Sequence, residues 1–589
     1  MAIDPANPLI VQSDRTLLLD VHAPKAEEAR IAIMPFAELE KSPEHIHTFK
    51  ITPLSLWNAA GAGFTAEAVI RALEAYTRFP IPQGIVEAFT DTMARYGKIR
   101  LVSAEQFDSR QEEAASASHP ADALCLIAED RAVRAEIGAA KSLEKYLQKT
   151  DRGFRLRLAD RGTVKWELIK LGWPVHDEAP LADGEALDCE LRRISASGRA
   201  FGPRDYQKEA AASVAGDGGP GTGFGVVVLP CGSGKTMVGM VIMAQIKTNT
   251  LVLTTNVAAV HQWINELLDK TGLRAEQIAE YTGDSKAVAP VTVATYQILT
   301  WRPAKDGDFP HFQLFRARPW GLIIYDEVHL LPAPVFRVTA ELQAVRRLGL
   351  TATLIREDGA EEAVFSLVGP KRYDVPWKTL EEKGWIAEAC CTEIRIDMPE
   401  SLKLPYAVAA PREKYRIASE NPLKEIAARQ LVENHPQDHI LVIGQYIKQL
   451  EALARLLNAP LVTGKTPNAE RERIYQAFKA GKRRIIVVSK VANFAIDLPD
   501  ASMAVQVSGS FGSRQEEAQR LGRILRPKGE KGGRNSYFYT LVSRYTVEED
   551  FAANRQKFLA EQGYKYAIQH WTAGELGSPG TAYPKSGAG

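Results

Sequence analysis

Short β-branched runs alternate with longer amphipathic stretches through the last two-thirds of the chain. Val226 to Leu229, Leu251 to Thr254, Val291 to Thr295 and Leu322 to Tyr325 are apolar almost without a break, as strands covered on both faces must be. Helical spacings fill the intervals, and this alternation predicts a parallel sheet flanked by helices. The texture returns at Ile440 to Ile443, Ile485 to Val488 and Ala504 to Val507. Two similar α/β lobes in tandem are therefore expected, over 195–375 and 376–570.

The first third is patterned differently. Ala66, Val69, Ile70, Leu73 and Tyr76 recur at three- and four-residue steps before the breaker Pro80-Ile81-Pro82, which predicts a mostly helical domain over 1–100. A strand at Ile99 to Val102, a helix from Asp130 to Gln148, a strand from Phe154 to Leu158 and a helix from Val164 to Leu171 suggest a small α+β domain over 101–185. Pro174 to Gly202 reads as a linker into the larger body. Residues 577–589 are small and polar, and 571–589 reads as a disordered tail. Trp57, Tyr76, Tyr96 and Trp166 could stack on bases, but aromatic residues at helical spacing are more often core.

Composition narrows the picture. A chain of 589 residues exceeds a single ordinary core. The formal net charge of +1 means that any nucleic-acid contact must come from local basic grooves. Five cysteines without a CxxC pair argue against a zinc site or a disulfide framework. No segment approaches about 18 uninterrupted apolar residues, and no basic region with an apolar run opens the chain. These features suggest a soluble cytoplasmic protein with no membrane partner, nucleoid-associated if bacterial.

The chemistry begins at Leu229-Pro230-Cys231-Gly232-Ser233-Gly234-Lys235-Thr236, between a strand and a helix. Backbone N–H groups freed by glycine would cradle phosphate oxygens, Lys235 would reach the β- and γ-phosphates, and Thr236 would offer its hydroxyl to magnesium. The full loop pattern wants glycine where Leu229 stands, so the match needs support. Asp326-Glu327-Val328-His329 supplies it by ending the strand Leu322 to Tyr325, at the sheet edge where ligands bind. An isolated Asp-Glu pair is a solvated acidic loop. Here Asp326 would hold magnesium, and Glu327 would position and deprotonate the attacking water. His329 alone fits packing or signalling equally well. Further on, Gln519, Arg523 and Arg526 share one helix face, and planar guanidiniums can neutralise charge on a transferring phosphoryl group. By itself that helix could equally be a basic surface element.

With these residues in place the chain resembles superfamily 2 helicases, specifically the bacterial branch of the XPB family of DNA repair helicases. The resemblance rests on the phosphate loop, on 326–333, on Leu348-Gly349-Leu350-Thr351-Ala352-Thr353-Leu354-Ile355-Arg356-Glu357-Asp358, and on 515–528. It implies two tandem RecA-like parallel-sheet lobes preceded by small helical and α+β N-terminal domains. ATP and Mg2+ are the implied cofactors. Gln207 is implied as the adenine contact, with Gly232, Ser233, Gly234, Lys235, Thr236, Asp326 and Asp497 around the nucleotide and Thr236 and Asp326 toward the metal. Thr295, His329, Thr351, Thr353 and Ser489 are implied in DNA contact or coupling. Arg356, Glu357 and Asp358 match a charged loop associated with duplex opening. Ala495 stands where many helicases have glycine, and the stretch Met398 to Pro422 leaves room only for an abbreviated thumb-like element.

The implied activity is ATP-dependent 3′-5′ DNA unwinding or translocation in repair, of the nucleotide excision type. The implied partners are single-stranded or forked DNA and a repair nuclease or transcription factor. Duplex translocation without processive unwinding, or a nucleotide-switched scaffold, are the alternatives.

Overall fold

The computed structural model describes residues 6–41, 45–108, 123–216, 222–230, 232–304, 309–331, 345–352, 361–375, 389–489, 501–508, 536–561 and 566–572, with single positions at 4, 335, 339, 380, 381, 383, 385 and 574. The chain forms two compact units, one of residues 1–229 with 234–375, the other of 376–589 with 230–233.

Lobe 1, in the first unit, is a seven-stranded sheet. Its order is Ile278–Tyr281, Val291–Thr295, Thr250–Thr254, Leu322–Asp326, Arg346–Thr351, Phe224–Val228, Lys371–Asp374. Every neighbouring pair is parallel. Five of these strands are buried along nearly their whole length, so helices must cover both sides. Lobe 2 orders its strands Leu461–Val462, Ile485–Ser489, Ile440–Gly444, Met503–Gln506, Ser536–Ser543, Ala389–Ile396, Tyr566–Trp571, again all parallel. Numbered from its own first strand, each sheet reads 3-4-2-5-6-1-7. The two lobes share one topology, which places strands 1, 2, 4 and 5 in the core of both.

The first fifty residues depart from expectation. The helical pattern is realised at Pro53–Gly61, Ala66–Tyr76 and Gln83–Ala94, but an antiparallel sheet ordered Leu9–Val11, Thr16–Asp20, Ile46–Lys50, Glu38–Lys41 precedes them. Its strands are only three to five residues long, too short to show a clean alternation. The α+β unit gains three strands that the sequence reading did not mark, Ala123–Ala128, Gln148–Lys149 and Val175–Asp177, in a five-stranded sheet. The helix expected over 130–148 stops at Ala139. In lobe 2, Glu400–Val408 and Pro411–Ser419 form the helical pair of the short thumb-like stretch.

The segment read as a linker is not free chain. Val175–Asp177 pairs with Ile99–Ser103, and bridges join Ala186 to Thr248 and Leu191 to Thr271 on lobe 1. Asp177 is its hub. Arg161 donates to both oxygens at 2.7 and 3.0 Å, and Lys165 donates at 2.9 Å. Arg161 and Asp177 are almost fully buried. Burial pushes the Lys165 ammonium down to about 8 despite Asp177, while Asp177 itself is held below its ordinary value by the two cations against the effect of burial. Lys165 and the buried Arg347 also lie over the Phe224 ring, at 5.5 and 5.1 Å. Trp57 and Ile169 pack on Phe365 of lobe 1, so Trp57 is core rather than a stacking platform. Tyr96 stacks on His176, and Trp166 packs on the lobe 1 core. Most of residues 571–589 lie outside the described residues, and Trp571 ends a strand.

Candidate active site

The parallel strands of lobe 1 end together, and their carboxyl edge carries the expected residues. Gly234, at φ +83°, starts the helix Lys235–Ile246. Glycine is needed there for the backbone conformation, and a Cβ would meet Gln207 Nε2 at 2.6 Å. Gln207 is thus packed against the end of the phosphate loop. Its Oε1 accepts from Arg204 N at 2.9 Å, which orients the amide. Gly232 is likewise in the left-handed region, at φ +79°. Ser233 turns inward instead of toward a ligand. Its hydroxyl donates to the Pro230 carbonyl at 2.6 Å and its backbone N–H points to the same oxygen, so Ser233 closes the turn.

Lys235 Nζ lies 3.2 Å from Glu327 Oε1. Asp326 precedes Glu327 at the end of its strand, with Oδ2 accepting from Trp263 Nε1 at 2.9 Å and Oδ1 from Glu327 N at 3.1 Å. Two donors therefore fix the plane of the carboxylate. The adjacent acids titrate in opposite directions. Burial, and then the charge of Glu327, raise Asp326 above the usual carboxylate range. For Glu327 the burial effect is outweighed by Lys235, His329 and the Ala352 N–H, which hold it below its ordinary value. One buried site thus contains one readily ionised and one reluctantly ionised carboxylate, a pattern typical of catalytic centres.

Glu327 has φ +49°, a left-handed conformation that costs an L-residue roughly 1–2 kcal/mol. Tyr296 donates from its hydroxyl to the Asp326 carbonyl at 3.0 Å and helps hold this peptide. His329 is buried, and its Nδ1 lies 2.6 Å from Thr351 Oγ1 and 3.6 Å from Glu327 Oε2. His329 is thus packed between Thr351 and Glu327. Thr351 also accepts Leu229 N at its carbonyl, at 2.9 Å, so the ends of three neighbouring strands are tied together.

Other expected residues are placed differently. Thr295 is buried, and its hydroxyl accepts from Ile298 N at 3.2 Å as a helix cap, so it is no exposed phosphate donor here. Ser489 ends its lobe 2 strand and is buried. Thr353, Arg356, Glu357, Asp358, Asp497, Gln519, Arg523 and Arg526 lie outside the described residues.

Sequence reasoning missed Trp263. It lies on the buried face Val260, Trp263, Leu267 of Val257–Lys270, and that spacing reads as core. The ring also covers Gly239 of the phosphate-loop helix, where a Cβ would meet Trp263 Cη2 at 2.5 Å. Trp263 thereby connects the helix behind Lys235 to Asp326.

Comparison with known proteins identifies the family. Residues 380–584 match the family described as ERCC3/RAD25/XPB C-terminal helicase, 9–150 match "Helicase conserved C-terminal domain", and 200–356 match "Type III restriction enzyme, res subunit". A Mycobacterium tuberculosis protein named "DNA 3'-5' helicase XPB" is 50% identical over 565 residues, covering 95% of this chain and 97% of its own. The Kineococcus radiotolerans protein of the same name is 50% identical over 95% of this chain and 96% of its own. A relative from Antonospora locustae, "General transcription and DNA repair factor IIH helicase/translocase subunit XPB", is 33% identical over 95% of this chain and 81% of its own. With a phosphate loop, a partly buried acid pair and full-length similarity of this order, the chain belongs to the XPB family of superfamily 2 DNA helicases, in its bacterial branch.

Proposed function

We infer that this chain is an ATP-dependent 3′-5′ DNA helicase. The observation that carries the reading is the Lys235–Glu327 pair at 3.2 Å, beside a carboxylate oriented by two donors. Lys235 binds the terminal phosphates of ATP, and Glu327, when released from Lys235, accepts a proton from the attacking water. Gln207 supports adenine recognition beside the loop.

Asp326 and Thr236 are hard oxygen donors suited to Mg2+, which usually binds one or two carboxylates along with substrate phosphates. Bound there, the metal would offset charge on the β- and γ-phosphates. Gln519, Arg523 and Arg526 are assigned to neutralising charge on the transferring phosphoryl group, and Asp497 to binding the nucleotide. Arg356, Glu357 and Asp358 are assigned to duplex opening, and Thr353 and Ser489 to the DNA track. The pathway proposed is repair of the nucleotide excision type in the cytoplasm, with a nuclease or transcription factor as partner.

The decisive experiment compares ATP turnover with and without DNA for the native protein and Lys235→Ala. Native turnover stimulated by DNA, with loss in the variant, is expected. Native turnover no faster than the variant with any DNA overturns the motor reading. Unwinding of a duplex with a 3′ overhang, but not of one with a 5′ overhang, tests the polarity.

A further inference from the structure

The Asp326 carbonyl that accepts from Tyr296 belongs to the peptide joining Asp326 to Glu327. Rotation of that peptide sets the φ of Glu327, which stands at +49°. A non-glycine residue keeps such a conformation only when its surroundings hold it, and strain of this kind clusters at switch regions. The Tyr296 hydroxyl at 3.0 Å is a direct grip on this peptide plane. Releasing it would let Glu327 relax and move its carboxylate relative to Lys235.

Tyr296 opens the short helix Tyr296–Leu299, immediately after the strand Val291–Thr295. The tyrosine is buried, whereas Gln297, Trp301 and Arg302 beyond it are exposed. Trp301 is tilted against His311 and Arg302 lies over Phe309, and the surface that both keep exposed suits a nucleic-acid strand, through stacking and phosphate contact. One short segment thus faces solvent on one side and holds the Asp326–Glu327 peptide on the other.

We propose that Tyr296 is a positioning residue that transmits DNA contact at this segment to Glu327, and so sets how strongly DNA stimulates ATP hydrolysis. The inference rests on the ATPase reading above. A strand pressing on the exposed side shifts the segment, the hydroxyl carries that shift to the peptide, and Glu327 moves from its lysine-paired position toward the one that activates water. DNA binding itself does not require the hydroxyl.

Tyr296→Phe keeps the ring and deletes the grip. The measurement is ATP turnover across a titration of single-stranded DNA, with the melting temperature recorded alongside. The ratio of DNA-stimulated to DNA-free turnover is expected to fall about tenfold, the scale of one lost hydrogen bond, while the DNA concentration for half-stimulation stays unchanged. A ratio equal to that of the native protein overturns the inference, and so does an equal loss in both rates, which marks a purely local structural role. A native protein with no DNA stimulation overturns the ATPase reading as well, so the two failures are distinguishable. Hydrogen exchange of the native protein gives a check that needs no variant. Adding DNA without nucleotide should change the protection of the Glu327 amide, and unchanged protection sinks the proposal.

Discussion

Replacing Trp263 by Phe tests whether the orientation of Asp326 matters to the site. The change removes one donor, the indole N–H 2.9 Å from Asp326 Oδ2, and leaves Glu327 N on the other oxygen. A hydrogen bond to a charged acceptor is worth about 1.5–3 kcal/mol, or roughly 10–100-fold in an equilibrium that depends on it. Residues that orient metal ligands from behind give the same range when mutated, about 10–100-fold in metal affinity or activity. The smaller ring also leaves a void against Gly239, so stability should fall by about 1–3 kcal/mol.

The assay is a Mg2+ titration of ATP turnover well below the melting temperature, paired with binding of a fluorescent ATP analogue with and without Mg2+. The expected result is a half-saturating Mg2+ concentration raised about 10–100-fold, with metal-free nucleotide binding unchanged because Gln207 and the loop are intact. A shift under about threefold is below the value of one such bond and would refute the orienting role. A loss of metal-free binding would instead place Trp263 behind the phosphate loop, acting through Gly239.

Two further outcomes concern stability. Asp177→Asn leaves Arg161 and Lys165 buried without their anion, which should cost about 3–5 kcal/mol in urea unfolding, and a loss under about 1 kcal/mol would show that the hub is not structural. His47 is pushed down to about 4, first by burial and then by Arg30, so between pH 4 and 6.5 the unfolded chain binds the extra proton and stability rises with pH through that window. The gain should be about 2–3 kcal/mol, and His47→Gln should flatten the acid limb; an unchanged pH profile in that variant contradicts the assignment.

How much of this was legible in the sequence depends on whether a residue's meaning is local. The central strands were readable because a strand covered on both faces must be apolar along its length, and Val226, Leu251, Val291 and Ile323 obey that rule. Several long strands escaped it, two of them because they carry charge. Arg346–Thr351 begins with two arginines, and burial of Arg347 makes sense only once the Phe224 ring lies under its guanidinium. Ala389–Ile396 carries Glu393, fully buried with donors from Arg395 and Tyr566; the tyrosine is 173 residues away.

The same division runs through the active site. Lys235, Asp326 and Glu327 announce themselves because their neighbours in sequence already form the loop or strand end that their chemistry requires. Trp263 and Tyr296 look like ordinary core residues because their polar atoms find Asp326 from 63 and 30 residues away. Groups that touch substrate can be read from motifs, whereas groups that hold them in place are visible only once the fold has brought distant segments together. Substitutions at such core-like positions should therefore impair activity by misaligning Asp326 and Glu327, even with every motif residue intact.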